Sequence, residues 1–187
     1  YAKLITQLFG DRMYIANATG CSSIWGGSAP STPYTVNKDG KGPAWANSLF
    51  EDNAEYGYGM YLAQSTIRNR TIAKVLELSK TTKVAALKKA CEEYLETVDD
   101  GEKNSPATDN LIAALKKTKN KATEEILKDA DYLRKKSMWI FGGDGWAYDI
   151  GFSGVDHVIA QGQDVNIFVF DTEVYSNTGG QSSKSTP

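Results

Sequence analysis

Apolar residues recur at helical spacing through the middle of the chain, and short unbroken apolar runs lie on either side of it. One face of an α-helix is predicted to carry Val84, Leu87, Cys91, Leu95 and Val98. A turn is predicted over residues 99–106, and Thr108 or Asp109 is predicted to cap the helix that follows. The periodicity continues to about residue 136, so the middle of the chain is predicted to be helical.

Three apolar runs outside this middle stretch are predicted to be strands, namely Met13–Ala16, Met138–Phe141 and Asn166–Phe170. Each runs into a polar or glycine-rich loop, and a helix is predicted over Asp149–Gln161, between the last two strands. A strand, a helix and a second strand in this order form a parallel unit. We therefore predict an α/β fold with a mostly parallel sheet flanked by helices. Ligands bind such sheets at the carboxyl ends of the strands.

The distributions of glycine and of charged residues both set the middle of the chain apart from its two ends. Of the 17 glycines, only Gly101 lies within residues 60–141, where Lys and Glu alternate. We interpret residues 60–137 as a helical insertion in a single domain that spans 1–187, and its lysines as solvated helix faces rather than a site for an anionic partner. The chain begins with Tyr1 and is expected to be part of a longer protein.

Composition excludes several classes of function. A net charge of −2 gives no basic field for nucleic acid, and no apolar run approaches the length of a membrane helix. No targeting segment is visible. Cys21 and Cys91 do not make a disulfide scaffold.

The loop Gly142-Gly143-Asp144-Gly145 is predicted to end a strand and open a helix. Glycines there let backbone N–H groups approach a phosphate closely. The loop is neither a Walker A motif nor a G-x-G-x-x-G motif, since no Lys-Ser/Thr follows and Tyr148 takes the last glycine position. Asp144 would repel a phosphate unless a cation lay between them, so the loop predicts Mg²⁺, which prefers oxygen ligands. The alternative is a structural aspartate that caps a helix.

A second loop supports the metal interpretation. Thr172 lies 28 residues after Asp144, at the end of the third predicted strand, and residues 173–180 are rich in hydroxyl, amide and free carbonyl groups. Adjacent parallel strands would bring both loops to one edge of the sheet.

Two long blocks of sequence resemble one family. Residues 17–60, with Asn-Ala-Thr-Gly-Cys-Ser-Ser-Ile-Trp-Gly-Gly-Ser, and residues 142–187, with Asp-Thr-Glu-Val-Tyr-Ser-Asn-Thr-Gly-Gly-Gln, resemble pyruvate:ferredoxin (flavodoxin) oxidoreductase. The resemblance implies a thiamine-diphosphate-binding fold, and this chain would be most of the C-terminal domain that binds the cofactor.

The resemblance also implies a role for particular residues. Asp144, Thr172 and the backbone carbonyl of Val174 would ligate Mg²⁺. Asn177 would be catalytic. Cys21 would be one ligand of a [4Fe–4S] cluster, and a single thiolate cannot hold a cluster that needs about four ligands. The cofactor-binding set as a whole would be Cys21, Gly143, Asp144, Gly145, Trp146, Thr172, Glu173, Val174, Tyr175, Ser176 and Asn177.

Several distinctive residues have a structural interpretation beside the functional one. Cys21, considered without the family, is a small buried residue. Cys91 is predicted to fill the core of the helical middle, and His157 to be an ordinary helix residue rather than a general base. Trp25, Trp45 and Trp146 are predicted to pack or to shape loops.

The activity that the resemblance implies is oxidative decarboxylation of pyruvate to acetyl-CoA and carbon dioxide. Electrons would pass through iron–sulfur clusters to ferredoxin or flavodoxin, and coenzyme A would accept the acyl group. Alternatives are another thiamine-diphosphate 2-oxoacid decarboxylase, an NADP-linked fusion, or a non-catalytic domain that binds Mg²⁺–nucleotide. The resemblance further implies a homodimer in the cytoplasm or a hydrogenosome-like organelle. The segment alone is expected to be inactive, because the glutamate that activates the cofactor would lie in another domain.

Overall fold

The computed structural model describes all residues from Tyr1 to Pro187. They form two compact units, one from residues 1–61 and 137–187 and the other from residues 62–136. The interpretation of the helical residues as an insertion into a cofactor-binding domain stays a prediction. No helix combines the length and the apolar character needed to cross a bilayer.

The first unit is built on a four-stranded parallel sheet. Its strands are β1 (Met13–Ala18), β2 (Ala44–Ser48), β3 (Ser137–Gly143) and β4 (Asn166–Phe170), and their order in space is β2-β1-β3-β4. The central strands β1 and β3 are almost wholly buried, which is why their sequences are continuous apolar runs rather than alternating ones. The predicted α/β fold with helices flanking a parallel sheet is confirmed.

Helices and short elements complete this unit. They are α1 (Ala2–Phe9), α2 (Cys21–Gly27), the first turns of α3 (Asn53–Thr81), a π-helical turn over Gly145–Ile150 and α8 (Phe152–Ala160). The predicted helix over Asp149–Gln161 therefore starts later, at Phe152, because the π-helical turn precedes it. After β4 come β5 (Val174–Tyr175), a 3₁₀ turn (Ser176–Thr178) and β6 (Gln181–Ser182), and β5 and β6 pair antiparallel.

Apolar side chains fill both faces of the sheet. Met13, Ile15 and Phe141 form one buried cluster. Ala18, Ile140, Trp146, Val155 and Val158 belong to the other. Gly57 in α3 is required by this packing, because a Cβ there would lie 2.5 Å from Ile140 Cγ1.

The second unit is helical. It holds the rest of α3, then α4 (Ala85–Glu96), α5 (Asn104–Lys117), α6 (Lys121–Lys128) and α7 (Ala130–Leu133). Its core includes Leu87, Cys91, Tyr94, Leu111, Leu115, Ile126 and Leu133. Cys91 fills this core as predicted, and burial raises the pKa of its thiol to about 11.

The predicted boundary between the helices of this unit is wrong. α5 begins at Asn104, so Thr108 and Asp109 lie inside the helix and do not cap it. Pro106 falls in the first turn, where its missing N–H costs no helical hydrogen bond. Asn104 is fully buried, and its Oδ1 accepts a hydrogen bond of 2.7 Å from the Lys135 backbone N–H.

Candidate functional site

The carboxyl ends of the four parallel strands meet at one edge of the sheet. In the ladder, Ala18 pairs with Ser48, Asn17 with Phe141, and Gly143 with Phe170. The loops after β1, β3 and β4 therefore start side by side. This register brings together segments that are more than a hundred residues apart in sequence.

A cavity of about 520 Å³ lies between these loops, a volume typical of sites for small molecules and cofactors. Its apolar lining includes Ala18, Trp25, Phe50, Phe170 and Val174. Its polar lining includes Thr19, Cys21, Asp144, Thr172, Tyr175, Ser176, Asn177 and Thr178. Asp144 is the one carboxylate in the lining, and no Lys or Arg contributes to it.

Three oxygen-bearing residues, Asp144, Thr172 and Val174, converge at the polar part of the cavity, and we call them the oxygen site. Thr172 Oγ1 lies 2.9 Å from Asp144 Oδ2 and 3.2 Å from the carbonyl oxygen of Val174. The hydroxyl has one proton and can donate it to only one of these acceptors at a time. The arrangement therefore brings a carboxylate, a hydroxyl and a carbonyl oxygen to one point.

Asp144 is buried and held by several donors. Its carboxylate accepts hydrogen bonds from the backbone N–H groups of Thr172 and Glu173, at 3.0 and 2.9 Å, and from Ser185 Oγ at 2.8 Å. Burial acts to raise the pKa of Asp144, but hydrogen bonds with the Thr172 backbone, the Asp171 side chain and Ser185 outweigh it and hold the pKa at about 2. The carboxylate is therefore charged at neutral pH.

The glycines of the loop after β3 have different roles. A Cβ on Gly142 would lie 2.3 Å from Trp146 Cε3, and a Cβ on Gly145 would lie 2.3 Å from Tyr175 Cε1. Packing within the protein therefore excludes side chains at both positions. A Cβ on Gly143, in contrast, would meet no protein atom closer than 3.9 Å. Gly143 lines the cavity, so the missing side chain leaves space that a ligand could use.

Cys21 lies at the start of α2, beside the loop that follows β5. Ser176 Oγ lies 3.3 Å from Cys21 Sγ, and Cys21 Sγ lies 3.7 Å from Asn177 Oδ1. Both contacts bridge about 155 positions in sequence. The thiol and the amide thus share one side of the cavity.

Comparison with curated proteins yields matches along the whole chain. The chain is 56% identical over 193 residues to the pyruvate:ferredoxin oxidoreductase of Moorella thermoacetica, and 59% identical over 194 residues to the pyruvate-flavodoxin oxidoreductase of Klebsiella pneumoniae. The resemblance to pyruvate:ferredoxin (flavodoxin) oxidoreductases is confirmed. The chain spans 16% of the length of each of these two enzymes. No protein-family model matches the chain.

A further relative is named for a different electron acceptor. The chain is 51% identical over 189 residues to the mitochondrial pyruvate dehydrogenase (NADP+) of Euglena gracilis, and it spans 10% of that protein. The segment is therefore common to pyruvate oxidoreductases named for three acceptors, which are ferredoxin, flavodoxin and NADP+.

The structure brings together nine of the residues that the resemblance to these oxidoreductases implied. The residues that line the cavity are Cys21, Gly143, Asp144, Gly145, Thr172, Val174, Tyr175, Ser176 and Asn177. Trp146 and Glu173 do not line it. Trp146 is fully buried in the core beside the sheet, and Glu173 is exposed. Their roles as cofactor contacts stay predictions.

Other distinctive residues take the places expected for structural residues. His157 lies exposed on α8, where it packs edge-on against Tyr58 with ring centroids 6.4 Å apart. Trp45 packs against Tyr34, at 6.4 Å between centroids. Trp25, in contrast, lines the cavity and packs edge-on against Phe170 at 5.2 Å.

Two tyrosine–aspartate pairs near the oxygen site were not predicted. Tyr148 Oη donates to Asp171 Oδ2 at 3.0 Å, and Tyr175 Oη donates to Asp149 Oδ2 at 2.8 Å. Partial burial and these bonds raise the pKa of both tyrosines. Each pair joins the π-helical turn after β3 to the segment that follows β4, at Asp171 in one pair and at Tyr175 of β5 in the other. Thr19 was also missed, although it lines the cavity and its hydroxyl accepts a 2.8 Å hydrogen bond from Asn47 Nδ2.

The donor set fits a hard divalent cation with an anionic ligand. The chain contains no group of three or more His, Cys, Asp or Glu side chains that could hold a metal ion. Mg²⁺ does not need such a group, since it is commonly bound through one or two carboxylates together with phosphate oxygens of a ligand. Asp144 supplies the charge, and Thr172 and Val174 supply neutral oxygens. An anionic ligand could not bind beside the buried charge of Asp144 without such a cation.

Proposed function

We propose that this segment binds Mg²⁺–thiamine diphosphate within an enzyme that oxidatively decarboxylates pyruvate. The observation that carries the proposal is the convergence of Asp144, Thr172 and Val174, the three residues that the resemblance to pyruvate oxidoreductases assigns to the metal. The cavity has the volume for a cofactor and combines this polar part with an apolar lining. The names of the relatives, which are pyruvate oxidoreductases, support pyruvate as the substrate.

In this proposal each part of the lining has one task. Asp144, Thr172 and the carbonyl of Val174 hold the cation, and the cation balances the diphosphate. Gly143 leaves room for the diphosphate to approach the backbone, because nothing in the protein fills the place of its side chain. The loop of residues 172–177 closes the other side.

The chemistry divides between cofactor and protein. Thiamine diphosphate, when bound, supplies the electron sink for loss of carbon dioxide. The aromatic residues Trp25, Phe50 and Phe170 exclude water from the cavity. Asn177 offers a hydrogen-bonding amide at its mouth and is the proposed catalytic residue. Cys21, beside Asn177, is the proposed single ligand that this segment gives to a [4Fe–4S] cluster.

The rest of the activity is proposed to lie outside this segment. Other domains would supply the remaining cluster ligands, the glutamate that activates the cofactor and the sites for coenzyme A and for ferredoxin or flavodoxin. The enzyme is proposed to be a homodimer in the cytoplasm or in an organelle of hydrogenosomal or mitochondrial type.

The test is an anaerobic assay on a full-length protein that carries this segment. Reduction of a viologen dye is followed on addition of pyruvate and coenzyme A. We expect reduction that requires both substrates and is abolished in Asp144→Ala, together with loss of Mg²⁺-dependent binding of thiamine diphosphate. Unchanged affinity for thiamine diphosphate in Asp144→Ala would overturn the metal assignment.

A second candidate rests on the relative from Euglena gracilis. Delivery of electrons to NADP+ through a fused domain is distinguished by following NADPH formation in the same assay. A non-catalytic nucleotide-binding domain is the third alternative. Competition between thiamine diphosphate and ATP in the presence of Mg²⁺ separates it, because only the nucleotide would bind in that case.

A further inference from the structure

The residue between two members of the oxygen site has an unusual backbone conformation. Glu173 has φ of +63°, and it is the one residue other than glycine in the chain with positive φ. Side chains with a Cβ are disfavoured in this left-handed region, so surrounding contacts must hold the residue there. The Glu173 side chain is exposed and takes part in no hydrogen bond or ion pair, so the contacts that hold the residue are made by other groups.

The backbone N–H of Glu173 is shared by two carboxylates. It lies 2.9 Å from Asp144 Oδ1 and 3.1 Å from Asp171 Oδ1. The second oxygen of Asp171, Oδ2, accepts the 3.0 Å hydrogen bond from Tyr148 Oη. Asp171 therefore connects the π-helical turn after β3 to the amide of residue 173.

The left-handed turn at Glu173 explains how the oxygen site closes. A residue in this region reverses the chain sharply, so the residues on its two sides can face one point. Thr172 Oγ1 and the carbonyl of Val174, on either side of Glu173, lie 3.2 Å apart. An extended residue 173 would direct these two groups away from each other.

We propose that Tyr148 and Asp171 are positioning residues, which hold Glu173 in the left-handed turn and thereby assemble the oxygen site for its cation. Neither lines the cavity. Tyr148 acts through Asp171, and Asp171 accepts from the backbone N–H of residue 173 and also interacts with the carboxylate of Asp144. The inference rests on the proposed function, because it takes the oxygen site to be a metal site.

Asp171 could affect cation binding in two ways, through its negative charge near the site or through the conformation of residue 173. Variants of Tyr148 and Asp171 distinguish the two effects. Tyr148→Phe removes one hydrogen bond and leaves every charge in place. Asp171→Asn removes the charge but keeps an oxygen that can accept from the Glu173 N–H. Asp171→Ala removes both. If geometry is the cause, Asp171→Asn binds the cation nearly as well as the wild-type protein and far better than Asp171→Ala.

The experiment uses the full-length protein with saturating thiamine diphosphate. Mn²⁺ replaces Mg²⁺ as the probe, and its binding is titrated by electron paramagnetic resonance. We expect Asp171→Ala to weaken Mn²⁺ binding about 10-fold or more, and Tyr148→Phe to weaken it by a smaller factor, because outer partners of metal ligands commonly have effects of this size. Tyr61→Phe is the matched control. It removes a comparable 2.9 Å hydrogen bond, to Gln163 Oε1, away from the cavity, and it should leave binding unchanged.

A second-site variant tests the role of the backbone directly. Glycine adopts positive φ without strain. Glu173→Gly in the Asp171→Ala background should therefore recover part of the lost Mn²⁺ affinity, which a general loss of folding would not allow. Equal affinity in wild type, Tyr148→Phe and Asp171→Ala would overturn the inference and leave the proposed function intact. Equal losses in Asp171→Asn and Asp171→Ala would also overturn it, since charge alone would then be the cause. Failure of the wild-type protein to bind Mn²⁺ would overturn the proposed function and this inference with it.

Discussion

Cys21 Sγ lies 3.7 Å from Asn177 Oδ1, although 156 positions separate the two residues in sequence. The contact joins the start of α2 to the turn after β5, and both residues line the cavity. It places the proposed cluster ligand beside the proposed catalytic residue.

The two cysteines make a matched pair for testing this placement. In a full-length protein, Cys21→Ser should remove or alter the paramagnetic signal of one reduced iron–sulfur cluster and leave thiamine diphosphate binding intact. Cys91→Ser should leave that signal unchanged. It should lower the stability of the protein by about 1–3 kcal/mol, because Cys91 is fully buried in the helical core. A cluster signal that Cys21→Ser does not change would exclude Cys21 as a ligand.

Gly142 and Gly143 are adjacent, but substitution of the first should affect packing and substitution of the second should affect ligand binding. Gly142→Ala should destabilise the protein by about 1–3 kcal/mol, because the new Cβ meets the fully buried ring of Trp146. Gly143→Ala should change stability by less than about 0.5 kcal/mol, since its Cβ meets nothing closer than 3.9 Å. It should nevertheless weaken thiamine diphosphate binding about 10-fold or more, by filling the space left for the ligand.

Thermal unfolding and cofactor titration of both variants check this prediction. Normal cofactor affinity in a well-folded Gly143→Ala protein would show that the ligand does not approach this part of the backbone.

Acid should weaken the fold through Asp144. Its pKa is about 2 in the folded protein and 3.8 in the reference state, so the folded state favours the charged form. The resulting stabilisation is fully present above about pH 5 and is lost as the pH falls through 3.8 towards 2. Urea unfolding of the metal-free chain between pH 6 and pH 2 measures it. Asp144→Asn should flatten this part of the pH dependence, and an unchanged slope would contradict the assignment.

Asn53, the first residue of α3, should be a determinant of stability. It is fully buried, and its Nδ2 donates to the carbonyl oxygens of Ala16 and Phe141, on neighbouring strands, at 3.2 and 2.9 Å. Asn53→Ala should lower the free energy of unfolding by about 1–3 kcal/mol, because it leaves buried acceptors without a donor. Asn110→Ala, at an exposed position in α5, is the control and should have almost no effect. Equal effects in the two variants would contradict this role for Asn53.

The sequence predicted those elements whose local pattern matches their final environment. β1, β3 and β4 are apolar runs, and β1 and β3 are buried on both faces. β2 was missed because it lies at the edge of the sheet and its small residues are only partly buried. The start of α3 was missed because Gly57, a poor helix former, is required there by the close approach to Ile140.

Some features of the site could likewise be predicted from the sequence, and others could not. The spacing of 28 residues placed Asp144 beside Thr172, because parallel neighbouring strands bring such loops together. The Tyr148–Asp171 hydrogen bond and the left-handed conformation of Glu173 could not be predicted from the sequence. No local preference for glutamate indicates that conformation. It follows from contacts with residues on another strand–loop unit.

The hydrogen bonds of Asp144 have a consequence for exchange of the cofactor. Thr172, Glu173 and Ser185 already donate to this carboxylate within the protein itself. A bound cation would replace some of these hydrogen bonds to Asp144. The same donors can bond to the carboxylate again when the cation leaves. Removal of the cation by a chelator should therefore be reversible and leave the apoprotein folded. The apoprotein should regain its cofactor on simple mixing, without a chaperone and without refolding.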